Sequence, residues 1–190
     1  LLVFGKLAGD GAANYLNNLT DRLDCSNEDI GKILKAATDI LNREEGKNPY
    51  LVHEELQSIL QTYVSIVRTG EELASGLEKL QALKTDINEV FAHASAQFNP
   101  GWNEALDLKN LIITAEAVTR AALTREESRG AHTRLDFAGE RDEGLEYNII
   151  IKKTTSGMSA EKIQRDSPPK ELADIAFASL KELEGDNLGA

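Results

Sequence analysis

One cysteine, four prolines and 5% aromatic residues leave this 190-residue chain poor in the groups that staple or stiffen a fold. With Cys25 alone, neither an intramolecular disulfide nor an all-cysteine metal site can form. Scarce aromatics lean the chain towards helix, because strands favour aromatic and β-branched side chains. No apolar run approaches the ~20 residues that span a bilayer, so no direct membrane insertion is expected. Basic residues are also short: 21 Lys and Arg face 32 Asp and Glu, a formal net charge of −11. A phosphate-backbone binder needs a clustered basic stripe, and none is visible, so nucleic acid is not an expected partner. The opening Leu1-Leu2-Val3-Phe4 has neither Met nor a basic flank and is no signal peptide. A start inside an apolar run is what a piece of a longer chain would show.

What is present is a helical pattern. The hydrophobic fraction of 41% can build a core, and the length suits one domain or one and a half. Residues 1–19 read as a helix loosened by Gly5, Gly9 and Gly11, each costing about 1 kcal/mol against alanine. Ser26-Asn27-Glu28-Asp29 resembles a capping box ahead of a helix with Ile30, Ile33, Leu34, Ala37, Ile40 and Leu41 on one face, closed by Gly46 to Pro49. Three longer stripes follow: Leu56, Ile59, Leu60, Tyr63, Val64 and Val67; then, after the cap Thr69 to Glu72, Leu73, Leu77, Leu80, Leu83, Ile87, Val90 and Phe91; then, after Asn99-Pro100-Gly101, a heptad rhythm of Leu108, Leu111, Ala115, Val118 and Ala122. Three amphipathic helices with short joins predict an all-α fold, an antiparallel three-helix bundle of the spectrin-repeat kind with extra helices and a C-terminal loop and strand extension.

After Glu127 the helical stripe stops. Residues 128–144 are rich in charge and glycine and are expected to form a long loop, of the length that is usually functional or disordered. Glu146 to Lys152 is the one good strand candidate, and one strand needs a partner. Ser167-Pro168-Pro169 then introduces a last amphipathic helix with Leu172, Ile175, Ala176 and Leu180. The expected division is 1–48 as linking helices, 49–127 as the bundle, 128–153 as the Arg/His loop and strand, and 154–190 as a tail with a short helix.

The chemical motifs are thin. Gly9-Asp10-Gly11-Ala12-Ala13-Asn14 is a defective dinucleotide fingerprint without a preceding strand, and close helix packing explains its glycines better. His53-Glu54-Glu55 lacks the second histidine of a zinc helix, so His53 reads as a surface side chain and His93 as a partly buried, hydrogen-bonded one. Cys25 reads as a plain thiol. Ser128, His132 and Asp136 hold the residue types of a hydrolase triad, but loop spacing does not make them converge. The densest polar cluster runs from Arg125 to Phe137, and guanidinium forks suit carboxylates, phosphates or interdomain ion pairs.

That cluster carries a resemblance. Ser128-Arg129-Gly130-Ala131-His132-Thr133-Arg134 with Asp136-Phe137 resembles a hallmark near the C-terminus of succinate dehydrogenase and fumarate reductase flavoprotein subunits. Asn110 to Ala117, Val64 to Arg68, Gly76 to Leu80 and Leu1 to Gly9 also look like segments of that family, and the likeness runs to about Asn148. Ala138 departs from it, standing where proline commonly follows Asp-Phe. The resemblance implies a C-terminal helical domain of an oxidoreductase that interconverts succinate and fumarate. FAD would be held by a domain upstream in the parent, with no cofactor in this segment and no catalytic or metal-binding residue carried over. It implies as partners the FAD-binding domain of the same chain and, through the parent, membrane anchor subunits and an iron–sulfur subunit, peripheral on the cytoplasmic face of a bacterial inner membrane. Arg125, Arg129, His132, Arg134 and Asp136 are then expected to fix the loop between domains. In the full-length enzyme, Arg129→Ala would reduce flavin retention or assembly while leaving the melting of the isolated bundle nearly unchanged. A free-standing helical scaffold or adaptor is the alternative reading.

Overall fold

The computed structural model describes residues 1–20, 24–93, 95–179 and 182–183. Helices dominate: α1 (Leu2–Asn17), α2 (Asn27–Thr38), α3 (Pro49–Tyr63), α4 (Gly70–Asn88), α5 (Pro100–Thr124) and α6 (Lys170–Phe177). Strands β1 (Val67–Arg68) and β2 (Thr133–Arg134) form a short parallel pair, and β3 (Tyr147–Thr154) and β4 (Gly157–Gln164) an antiparallel hairpin.

Local chemistry sets the starts of the long helices. Asn48 accepts the Tyr50 amide and precedes Pro49 at the first turn of α3; Asn99 does the same for Trp102 ahead of Pro100 in α5. Thr69 opens α4 with a full capping box, its Oγ accepting the Glu72 amide while the Glu72 carboxylate accepts the Thr69 amide. At α2 the cap is half of one: Ser26 Oγ accepts the Asp29 amide, and the Asp29 carboxylate takes the Ser26 hydroxyl proton rather than its amide.

Helices α3, α4 and α5 bury Val52, Leu56, Ile59, Leu80, Leu83, Ile87, Ala105, Leu108, Ile112 and Ala115 in one core. Ile40, Val90 and Ala92 join it from the connecting segments. Those segments are laced together: Ala92 donates to Ile40, and Lys47 exchanges backbone bonds with Glu89 and Phe91. The Trp102 indole donates 2.8 Å to the Ala37 carbonyl, tying α5 to the end of α2.

Several expectations need correction. The core face of α5 is Ala105, Leu108, Ile112, Ala115, Thr119 and Ala122, while Leu111 and Val118 stand exposed. The heptad is real but rotated, because Thr119 counts as polar in a sequence yet hides its hydroxyl on the Ala115 carbonyl at 2.7 Å. Glu116 also lies on this buried side, satisfied by Lys84 and by Arg120 at 2.7 Å. Helix α2 ends at Thr38, well before Gly46, and Ile30, Ile33 and Leu34 are exposed. His93 lies beyond α4 and is exposed, its ring edge-on to Phe91. The strand candidate finds its partner next door: β4 pairs residue for residue with β3 across a two-residue turn closed by Gly157 at φ 124°, so the stretch expected to be tail carries a strand. An all-α description therefore omits a hairpin that packs along α5. Leu180 lies outside the described residues.

Candidate functional site

Helix α5 delivers the chain to a loop, Arg125 to Leu145, that folds back across the start of α4. The last turn of any helix leaves carbonyls without intrahelical donors. Here one guanidinium answers them. Arg134, 2% exposed, donates from Nη1 to the carbonyls of Ala122 (3.0 Å), Leu123 (3.2 Å) and Arg125 (3.2 Å). A cation at this end also opposes the negative pole of the helix.

The remaining donors of Arg134 grip Asp136 as a fork, Nε to Oδ1 and Nη2 to Oδ2, both at 2.8 Å. Asp136 Oδ2 accepts in turn the Gly70 amide at 2.9 Å, the first residue of α4. The pair thus joins the end of α5 to the beginning of α4. Arg134, opposed by burial and helped by the Gly70 amide, holds the Asp136 carboxyl well below the usual carboxylate range. A Cβ on Gly70 would stand 2.9 Å from Arg134 Nη2 and 3.0 Å from Asp136 Oδ2, so a larger residue here would push against the pair. Pairing of β1 with β2 fixes the approach: Thr133 donates to Ile66 and Leu135 to Arg68.

A second knot centres on Glu127, 1% exposed. Its carboxylate accepts Arg125 Nη1, Arg129 Nε (3.2 Å) and Nη2 (3.1 Å), and the Arg141 amide (3.0 Å). Burial would raise this acid, but the Arg141 amide and then the two guanidiniums outweigh it and bring the pKa down to about 2. Gly144 packs so closely on the carboxylate that any Cβ would overlap it. Arg129 spends its other donors on Glu140 (2.9 Å) and the Arg141 carbonyl (2.9 Å).

Arg129 and His132 exchange backbone bonds around a tight turn in which Gly130 takes φ 57°, the left-handed region where glycine has no penalty. His132 Nε2 donates 3.1 Å to the Arg125 carbonyl. Burial, aided by the charges of Arg68, Arg134 and Arg125, lowers its pKa, so the ring is neutral at neutral pH. Ser128 Oγ accepts the Arg134 amide at 2.8 Å and faces the carbonyls of Phe137 (2.9 Å) and Arg134 (3.1 Å). It is a pin for the turn. It bonds neither His132 nor Asp136, so the hydrolase reading fails on geometry.

Arg125, Arg129, His132, Arg134 and Asp136 therefore all fall into one connected network. Sequence reasoning missed three of its members as site residues: Glu127, the buried hub, and Gly70 and Gly144, which make room for the two carboxylates. An acid flanked by arginines at positions 125 and 129 was a readable hint for Glu127. Gly70 lies more than sixty residues away and gave none.

The network is neutralised from within. Its guanidiniums face acids and carbonyls of the loop, which leaves no cradle for a phosphate. Gly9-Asp10-Gly11 lies inside α1 rather than at a strand-to-helix turn, so it cannot wrap a pyrophosphate. Neither the loop network nor the glycines of α1 therefore offer a seat for the phosphates of FAD, and among the described residues no group of three or more His, Cys, Asp and Glu is placed to hold a metal ion. No described helix is long and apolar enough to cross a membrane.

The family model for Fumarate reductase flavoprotein C-term matches residues 53–173, which include the whole loop. An uncharacterized FAD-dependent oxidoreductase of Methanocaldococcus jannaschii is 35% identical over 150 residues, 79% of this chain and 26% of that protein. A fumarate reductase (CoM/CoB) chain of Methanothermobacter marburgensis is 32% identical over 152 residues, 80% of this chain and 27% of that one. The Mycobacterium smegmatis Sdh1 complex in the apo form contains a chain with a TM-score of 0.87 and 32% identity, covering 96% of this chain and 32% of its own length. This chain spans about a quarter of the length of the curated relatives it matches.

Proposed function

Because this chain belongs to the fumarate reductase flavoprotein C-terminal family, we propose that it is the C-terminal helical domain of a flavoprotein that interconverts succinate and fumarate. The match across residues 53–173, with the loop network inside it, carries this reading. The parent holds FAD in its upstream portion and passes electrons to an iron–sulfur subunit, then to quinone. It sits peripherally on the cytoplasmic face of a bacterial inner membrane, held there through anchor subunits. Within it, residues 49–127 form an antiparallel three-helix bundle, residues 1–48 link back to the FAD-binding domain, and the loop with its hairpin follows. The role of this segment is structural. Arg125, Arg129, His132, Arg134 and Asp136 fix a loop that the rest of the flavoprotein rests on. The M. marburgensis relative favours a second reading of the electron partner alone, since its name joins fumarate reduction to CoM/CoB.

The full-length protein decides the matter. Purified, it should show a flavin absorbance and turn over succinate or fumarate with an artificial electron carrier, while residues 1–190 alone should do neither. A full-length protein with no flavin and no turnover overturns the reading. Fumarate reduction driven by thiols but not by quinol selects the second electron partner.

A further inference from the structure

The hairpin keeps one long, regular edge without a partner. Strands β3 and β4 form a two-stranded sheet, so each is hydrogen-bonded along one side only. The base of the hairpin fixes which residues turn their backbone outward. Arg165 donates to the Glu146 carbonyl at 2.7 Å, and these two residues stand directly beyond the Tyr147–Gln164 pair. Hydrogen-bonded and non-hydrogen-bonded pairs alternate along an antiparallel ladder. Asn148, Ile150 and Lys152 therefore bond inward to β4, while Tyr147, Ile149, Ile151 and Lys153 aim their N–H and C=O groups at the free edge. Among the described residues no other backbone group meets them there. Natural sheet edges are commonly blunted by proline, a bulge, a charge or shortness. Strand β3 runs for eight residues without proline or bulge, and its charges, Lys152 and Lys153, lie towards one end. Its centre is Ile149-Ile150-Ile151, with Ile149 and Ile151 half-buried on one face and Ile150 exposed on the other.

We infer that this edge is the contact between two copies of the protein, which pair antiparallel through β3 about Ile150 and close a four-stranded sheet in the order β4–β3–β3–β4. The occupant is argued from self-complementarity. About that centre Ile150 faces Ile150 of the second copy, Ile149 faces Ile151, Asn148 faces Lys152 and Tyr147 faces Lys153. Every isoleucine meets an isoleucine, and each lysine meets an uncharged residue. The backbone agrees with the side chains, because the four residues whose N–H and C=O groups point outward are set against the same four of the second copy. Moving the centre to Ile151 would set the lysines against Ile149 and Ile150, and moving it to Lys152 would oppose like charges, which destabilises a pair. The edge of β4 offers no equivalent, since pairing about Glu161 opposes that carboxylate to itself. A surface that matches itself under a two-fold rotation suits the commonest oligomer, a closed dimer. The edge lies outside the loop network, and the inference stands apart from the flavoprotein reading.

The test is made on the full-length protein. Ile150→Cys places two thiols at a non-hydrogen-bonded pair, where opposed side chains come closest and a disulfide can close. After mild oxidation, mass spectrometry should find the peptide linked from 150 to 150 in at least roughly tenfold excess over the link from 148 to 148 given by Asn148→Cys, whose thiols would stand about 13 Å apart along the strands. Asn148→Cys combined with Lys152→Cys should restore a link, from 148 to 152. Light scattering reads the association without any cross-link: at equal concentration the parent sequence should have about twice the native mass of Ile150→Lys. Position 150 is exposed and lies opposite Glu161 in the hairpin, so lysine there leaves the β3–β4 pairing intact. A 150 link no more abundant than the 148 link overturns the inference, and so does a native mass that Ile150→Lys leaves unchanged. A cysteine at 150 that links instead to a different protein also overturns it and gives the edge to that protein.

Discussion

Glu127 is the residue on which the loop turns. A carboxylate this buried would be costly alone, and it is tolerable because four donors from three residues converge on it. Its pKa sits near 2 in the folded chain against an ordinary 4.5. A depressed acid contributes stability that is complete above its unfolded pKa and lost as pH falls through the folded value. The contribution of Glu127 is therefore full above about pH 4.5 and disappears as pH approaches 2. His132 works with the same sign, since burial lowers its pKa from 6.5 and charging it at acid pH favours the unfolded chain. Urea unfolding followed from about pH 5 to about pH 2 should show stability falling steeply in the parent sequence. Glu127→Gln should be less stable at neutral pH and give a flatter profile over that range. Parallel profiles would remove Glu127 from the account.

At the scale of elements, the network is a connection between helix ends. Arg134 closes the last turn of α5, and Asp136, gripped by Arg134, caps the first turn of α4. A lysine could still meet Asp136 as a point charge, but it cannot hold a fork and reach three helix carbonyls at once. Removing one partner of a buried pair costs about 3–5 kcal/mol, and Asp136 is partly open to water. Arg134→Lys should therefore cost at least about 2 kcal/mol in denaturant unfolding, below that upper range. A loss under about 0.5 kcal/mol, the size of an ordinary surface substitution, would mean the staple is not formed. The other elements were legible to different degrees. The cap at Thr69 and the breaks at Pro49 and Pro100 stand next to the helices they open, so sequence spacing located those helices, while Asn48 and Asn99 emerged as caps only in the structure. The core face of α5 was misread at Leu111 and Val118 because hydrophobicity alone cannot tell a hidden threonine from an exposed one. The partner of β3 was missed because Gly157 to Gln164 mixes charge and small residues, and only pairing along α5 makes it a strand.

For the whole molecule, the loop binds this chain to itself before it binds anything else. The acceptors of Arg129 are Glu127, Glu140 and the Arg141 carbonyl, all within the loop. This changes the outcome expected for Arg129→Ala. Melting of residues 1–190 should fall by several degrees, rather than staying fixed while only flavin retention suffers. Thermal unfolding by circular dichroism checks it, and an unchanged midpoint would return Arg129 to a contact outside this chain. By contrast, α1 and α2 carry Leu2, Phe4, Leu7, Ile33 and Leu34 exposed, so a large apolar area lies outside the core that the loop completes.

By itself the sequence determined what depends on neighbours a few residues apart: helices from their 3.6-residue stripes, and their starts from caps and prolines. It also excluded, within these 190 residues, an intramolecular disulfide, a cysteine-only metal site and a spanning helix, since those need residues this stretch lacks. Only the tertiary structure decided what each charge is for. Hydrogen bonds need donor and acceptor within about 3 Å, and the partners of Asp136 and Glu116 come from Gly70 and Lys84, remote in sequence. A cluster whose guanidiniums suited carboxylates, phosphates or interdomain ion pairs became a closed network because the start of α4 and the end of α5 meet beside it.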